Sequence, residues 1–278
     1  MERVIDDDLI RFEADGAAPL PPAAAQTITH DGATIWYASY GSGPVVVLLH
    51  GGLGHSGNWG YQVPALVAGG YRAVVIDSRG HGRSTRDDRP YRYETMAGDV
   101  MAVLDALAIE RAAFAGWSDG AVVALMIAGK WPERVSGVFY FACNIDPGGA
   151  KELSDFPPLL QRCFGRHQKD YAQLSATPDA FDAFADAVGE MQATQPNYTA
   201  DDLARIRVPV TVVHSEHDEF IKQEHAEYLA RTIPAADFVY LPGVSHFAPL
   251  QRPDTFNVVL LDFLARLPVH SPNQKPHE

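Results

Sequence analysis

One pentapeptide constrains this chain more than any other segment. Gly116-Trp117-Ser118-Asp119-Gly120 lies between two apolar runs, Ala112-Ala113-Phe114-Ala115 and Ala121-Val122-Val123-Ala124-Leu125-Met126-Ile127-Ala128. The first run reads as a buried strand and the second as a helix, with an abrupt turn between them. A turn that tight crowds backbone against backbone, so a Cβ at either flank collides with neighbouring chain; glycine stands at both flanks. A G-x-S-x-G between strand and helix is a nucleophile elbow. It sets Ser118 at a helix N-terminus with its Oγ held out of the turn, where the partial positive charge favours a developing oxyanion.

A serine hydroxyl is a poor nucleophile until a base takes its proton, and an acid must then fix the imidazole tautomer and stabilise the imidazolium. Candidates follow in the chain order Ser, acid, His that an elbow predicts. Pro209-Val210-Thr211-Val212-Val213-His214-Ser215 reads as a buried strand ending in Glu216-His217-Asp218-Glu219, which puts Asp218 in the loop at a strand end. A second strand, Asp237-Phe238-Val239-Tyr240-Leu241, runs into Pro242-Gly243-Val244-Ser245-His246-Phe247, which puts His246 in the loop before the last helix. Asp146, just past another strand, is the rival acid; Asp218 is preferred for its placement and chain order.

An oxyanion hole needs a second backbone donor beside the N–H of Asp119. The strand Val45–Leu49 runs into His50-Gly51-Gly52-Leu53-Gly54, and glycine lets backbone approach a ligand closely. Gly52 is the first choice for that donor and Leu53 the second. His50 is read as pinning this loop, since one base suffices for a triad.

With these residues in place, the chain resembles the α/β-hydrolase superfamily. The resemblance rests on His50-Gly51-Gly52, on Asp77-Ser78-Arg79-Gly80-His81-Gly82-Arg83-Ser84, on the elbow, on Asp218 and on Gly243-Val244-Ser245-His246, and it spans residues 26–267. Asp after the nucleophile and Lys130-Trp131-Pro132-Glu133-Arg134 at the helix end are similar to the biphenyl-hydrolase-like and valacyclovir-hydrolase-like branch. The resemblance implies an α/β-hydrolase fold: a mostly parallel eight-stranded sheet, helices on both faces and a small helical cap. It also implies no cofactor and hydrolysis of ester-type bonds through an acyl-enzyme. Ser as nucleophile speaks against the dehalogenases and epoxide hydrolases of the superfamily, which use Asp there.

Composition sets further bounds. At 278 residues, one α/β unit with an insertion is expected. The formal net charge of −13 argues against nucleic acid and anionic membrane surfaces, both of which call for basic patches. Cys143 and Cys163 are the only cysteines, too few for a disulfide framework, so a reducing compartment, the cytoplasm, is the expectation. The start of the chain, acidic at Asp6-Asp7-Asp8, lacks a basic region followed by an apolar core and does not read as a signal peptide. No apolar run reaches the length of a membrane span.

Residues 1–25 are expected to form a loosely held extension. Asp31-Gly32 between alternating segments signals a hairpin. Strands at Val45–Leu49, 73–76 and 138–142 alternate with helices at 59–68 and 94–107, the pattern of a parallel sheet. The core is expected over 26–143 and 208–267. The alternation stops over 144–207, where helical stretches at 158–164, 171–174 and 179–191 read as a cap over the strand ends; Phe181, Phe184 and Val188 are read as packing it. The tail 268–278 is polar and Pro-containing.

The other candidates are weighed against plainer roles. His214, His217 and His225 near Glu216 and Asp218 match no metal-ligand signature, and no metal is expected. Gly80-His81-Gly82 reads as a tight turn, not a phosphate loop. Asp119 stabilises a helix start, and beside the nucleophile it is also a candidate for attracting a cationic substrate group. Leu53, Trp59, Trp117 and Phe247 are candidate pocket walls. The expected activity is serine hydrolysis of a small-molecule ester or lactone. Carbon–carbon bond hydrolysis by the same triad is the enzymatic alternative, and a slow-turnover ligand-binding receptor of this fold is the alternative from another class. Neither the oligomeric state nor the particular ester follows from the sequence.

Overall fold

Alternating apolar strands and amphipathic helices fold here into one sheet covered on both faces. The computed structural model describes residues 7–152 and 157–268. Along the chain run helix α1 (Asp7–Asp15), strands β1 (Gln26–His30), β2 (Ala33–Tyr40) and β3 (Val45–Leu49), helix α2 (Gln62–Ala68), strand β4 (Arg72–Ile76) and helix α3 (Tyr93–Ala106). Strand β5 (Ala112–Trp117), helix α4 (Asp119–Lys130) and strand β6 (Val135–Phe141) follow. Helices α5 (Pro158–Leu174), α6 (Phe181–Thr194) and α7 (Ala200–Ala204) then leave the sheet. Strand β7 (Val210–His217), helix α8 (Gln223–Thr232), strand β8 (Ala236–Ser245) and helices α9 (Ala248–Gln251) and α10 (Pro253–Arg266) complete the described chain.

Among the described residues the sheet has eight strands in the order β1-β2-β4-β3-β5-β6-β7-β8. β2 pairs antiparallel with β1 and β4, and the strands from β4 to β8 run parallel. The β1–β2 hairpin turns at Asp31 and Gly32 with positive φ at both, as its Asp-Gly signal predicts. Alternate residues of each strand enter two apolar layers. Val47, Leu49, Phe114 and Tyr140 pack with Val103, Leu125 and Leu229 of α3, α4 and α8. Val46, Leu48, Trp117 and Phe141 pack with Leu66, Phe256 and Leu260 of α2 and α10. Burial on both faces explains why these strands read as continuous apolar runs.

The chain passes from β3 to β4 on one side of it and then crosses to β5 on the other. That reversal opens a crevice at the carboxyl ends of β3 and β5, where sheets of this kind bind ligands. His50-Gly51-Gly52 leaves β3 there, and Ser118 leaves β5.

Two readings of the sequence change. Residues 7–15 are a docked helix, not a loose extension: Leu9 and Phe12, three apart and so on one helix face, are buried, and α1 packs on α5. The stretches at 158–164 and 171–174 are one helix, α5, which carries Gly165 in its interior. The start of the extension (1–6) and all of the polar tail except Pro268 lie outside the described residues. Among the described residues no helix is long and apolar enough to cross a membrane.

Candidate active site

The elbow is forced by contact. A Cβ on Gly116 would lie 2.3 Å from the Gly120 carbonyl oxygen, and one on Gly120 would lie 2.1 Å from that of Leu49. Only glycine lets β5, α4 and the end of β3 come this close. Ser118 takes φ +52°, a strained conformation for a residue with a side chain, fixed by its N–H donating to Phe141 O at 2.9 Å.

His246 follows β8 and is 4% exposed. Its Nδ1 lies 3.1 Å from both oxygens of Asp218. Asp218 Oδ1 also accepts from the N–H groups of Phe220 and Ile221, both at 2.9 Å. Burial disfavours the charged form of this carboxyl, but His246 and those two donors outweigh it and hold Asp218 below its ordinary value. A carboxylate only accepts, so Nδ1 carries the proton and Nε2 is the free base. Burial also disfavours the imidazolium; the Asp218 charge and hydrogen bond, with Glu219 and Asp119, outweigh it and raise His246 above its ordinary value. Asp146, the rival acid, instead accepts from Gly148 N at 2.8 Å and lies 3.9 Å from His225.

Ser118 and His246 both border a cavity of about 450 Å³ at the strand ends. Gly52, Leu53, Trp117, Asp119 and Phe247 line it as well. Trp59 does not. It is fully buried behind the wall, edge-on to Trp117 at 6.1 Å, so this candidate belongs to the core; an aromatic next to a loop gives no sign in sequence of which side it faces. Leu53 has φ +61°, an uncommon conformation for leucine that bends the loop into the cavity wall. Among the described hydrogen bonds, none uses the N–H of Gly52 or of Asp119. His50 pins the loop as expected: Nδ1 donates to Gly51 O at 2.8 Å, and Nε2 accepts from Ser78 N at 3.0 Å. Burial pushes it down to about 4, so it stays neutral.

The carboxylate of Asp119 is turned inward. Tyr93 donates its hydroxyl to Oδ1 at 2.7 Å, and Gln192 Nε2 lies 3.1 and 3.0 Å from the two oxygens. Burial raises its pKa above the ordinary carboxylate value, against the lowering effect of those two donors. A Cβ on Gly52 would meet Gln192 Nε2 at 2.5 Å and Asp119 Oδ2 at 2.7 Å, which is why that position is glycine.

Sequence reasoning missed Tyr93, Gln192, Glu219 and His167. Tyr93 opens α3, while Gln192 and His167 sit on α6 and α5; no local pattern marks them, because only tertiary packing brings them to the cavity. Glu219 accepts from the His246 backbone N–H at 3.0 Å, and its place next to Asp218 in sequence was an available sign. Phe181, Phe184 and Val188 enter the apolar core, as expected. Among the described residues no cluster of three or more His, Cys, Asp or Glu is arranged to hold a metal ion.

Residues 46–259 match the model of the alpha/beta hydrolase family, and the chain belongs to that family. Over 98 residues, 34% of this chain, it is 46% identical to epoxide hydrolase B of Mycobacterium tuberculosis, a match that spans 28% of that enzyme's length. It is 25% identical over 251 residues to the human serine hydrolase BPHL, covering 84% of each chain, in line with the branch its elbow resembles. The solved structure of Est816, described as an N-acyl homoserine lactone degrading enzyme, matches with a TM-score of 0.69 and 29% identity, over 86% of this chain and all of that one.

Proposed function

We propose that this chain is a serine hydrolase of small carboxylic esters or lactones. The observation that carries the reading is the paired contact of His246 Nδ1 with both Asp218 oxygens, at 3.1 Å each, on the wall of the cavity that Ser118 enters at φ +52°. Ser118 Oγ attacks the ester carbonyl as His246 Nε2 takes its proton. The N–H groups of Gly52 and Asp119 hold the oxyanion. Collapse returns the proton to the leaving alcohol and leaves an acyl-enzyme; water, deprotonated by the same His246, then releases the acid and restores Ser118. The lactone half of the reading is supported by the likeness to the homoserine lactone degrading enzyme. Both oxygens of Asp119 already accept hydrogen bonds, which favours a neutral substrate over a cationic one. Helices α5 and α6 act as a cap over the cavity, and the free, buried thiols of Cys143 and Cys163 fit a reducing cytoplasm.

The test is a panel of p-nitrophenyl esters and lactones with the wild type, Ser118→Ala and His246→Ala. Each variant should keep its fold and lose at least about a thousandfold in kcat, because triad members act as a unit. A Ser118→Ala protein with a tenth of wild-type activity sinks the assignment. Negligible turnover of every substrate by the wild type, with marked stabilisation by one ligand, makes the chain a receptor.

A further inference from the structure

His167 lies on α5, is 6% exposed and borders the same cavity. Phe12 of the docked α1 meets its ring edge-on at 5.9 Å and holds it in place. Burial, aided by His55, His50 and Arg166 and opposed by Asp170, pushes its pKa down to about 4. The ring is therefore neutral near pH 7 and carries one N–H. Nδ1 is shut off from solvent and has no hydrogen-bond partner. Nε2 also has no partner among the described residues, yet it is not among the sealed atoms, so it is the nitrogen that keeps contact with open space. His167 lines the cavity, and we infer that Nε2 is the nitrogen it presents there.

The tautomer is assigned from the cost of an unpaired buried donor. A buried N–H without a partner is rarer and costlier than a buried lone pair without one. The proton belongs on Nε2, and Nδ1 keeps the bare lone pair. Much of the cavity wall is apolar, with Leu160, Phe164, Phe220, Ile221 and Phe247. A donor in such a wall rewards a ligand that brings an acceptor to it and penalises one that does not.

We propose that His167 is a specificity-determining residue that donates Nε2–H to a second oxygen of the substrate, a ketone or amide carbonyl separate from the scissile one. The proposal deepens the hydrolase reading and rests on it for the word substrate. An uncharged donor suits an uncharged acceptor, so a carbonyl is favoured over a carboxylate. His167 touches no reacting atom in this scheme; it selects and orients.

The experiment compares p-nitrophenyl hexanoate with its 4-oxo and 5-oxo derivatives, which differ only by a carbonyl in the chain. Wild type should prefer one oxo ester. His167→Phe, which keeps a ring and removes the donor, should lower kcat/KM for that ester by about tenfold, the worth of one neutral hydrogen bond, and change the plain hexanoate less than twofold. His167→Gln, which restores an N–H donor, should recover part of the preference. If His167→Phe does not fold, His167→Ala, which introduces no bulk, replaces it. A second arm measures calorimetric binding of hexanoate and the two oxo acids to Ser118→Ala, with and without the His167 substitution. Equal losses for plain and oxo compounds in both arms overturn the proposal. Absence of hydrolysis with every ester overturns the hydrolase reading instead, and the binding arm still decides the role of His167.

Discussion

In the elbow, Gly116 and Gly120 have no room for a side chain, since added Cβ atoms would sit 2.3 and 2.1 Å from backbone oxygens. In helix α5, nothing beyond the adjoining residues and the helix's own backbone lies within 4 Å of the place a Cβ on Gly165 would take. The two regions face one cavity and are held by different forces. Backbone contacts and ladder hydrogen bonds fix the strand ends, so the positions of Ser118, Asp218 and His246 follow from the sheet. The inserted helices are held by side chains. Gln192 reaches Asp119, His55 Nε2 lies 3.4 Å from Asp170, and Phe184 stands edge-on to His81 at 4.7 Å and stacked on Tyr171 at 4.6 Å. Side-chain ties can be exchanged without disturbing a sheet. Under the proposed function, this sets a rigid reacting centre beneath an exchangeable wall, a construction in which chemistry and specificity vary separately.

The comparison breaks most visibly if the strand-end acid can be removed without consequence. Asp218→Asn keeps the shape but cannot hold the tautomer or the imidazolium, and kcat should fall by about a thousandfold to ten-thousandfold. Asp146→Asn should stay within about twofold. The pH profile gives a second reading. In the proposed mechanism His246 must be neutral to take a proton, so wild-type kcat/KM should fall as pH drops through its raised pKa. Asp218→Asn removes the charge that does most to raise it, leaving Glu219 and Asp119 against burial. The acid limb of the residual activity should therefore move to lower pH. Rate–pH curves of both variants check this, and a larger loss from Asp146→Asn transfers the acid role.

The contrast between the regions also marks how far the sequence could be read. Elbow, hairpin, strand alternation and the His50-Gly51-Gly52 loop are local patterns: each depends on a period or a turn that neighbouring residues impose. They placed the sheet and brought Ser118, Asp218 and His246 to one end of it. Trp59 was misplaced, and Tyr93, Gln192 and His167 went unseen, because which side chain faces a cavity depends on packing between elements distant in sequence. Gln192 and Asp119 are 73 positions apart and join only when α6 docks. The docked α1 shows the same limit, since its burial of Leu9 and Phe12 depends on where α5 lies.

A smaller effect tests the rigid half directly. Gly120→Ala puts a methyl group against the Leu49 and His50 carbonyl oxygens, 2.1 and 2.7 Å from the new Cβ. Both are backbone atoms at the end of a central strand and cannot swing away. The substitution should destabilise the fold by about 3 kcal/mol, the upper part of the range for overpacking, and reduce activity through displacement of Ser118. Urea unfolding read by fluorescence gives the first number and ester hydrolysis the second. A stable, fully active Gly120→Ala protein would mean that the elbow tolerates movement and that the contrast with the insertion is overstated.

The smallest effect, opposite in sign, comes from the insertion. Gly165 sits inside α5 with open space where a side chain would go. Glycine within a helix costs about 0.5–1 kcal/mol relative to alanine, through the larger freedom of the unfolded chain. Gly165→Ala should therefore stabilise the protein by up to that amount, a rise in Tm of about 2 °C at this size, measured by calorimetry. Activity separates two ways in which the insertion can serve the cavity. If α5 works as a rigid wall that carries His167 two positions further on, kcat and KM stay unchanged as Tm rises. If α5 bends at Gly165 to admit substrate or release product, the stiffer helix slows turnover, and kcat falls although the fold is more stable. The second outcome would make the insertion a moving part, and the contrast with the elbow would become one of motion as well as of construction.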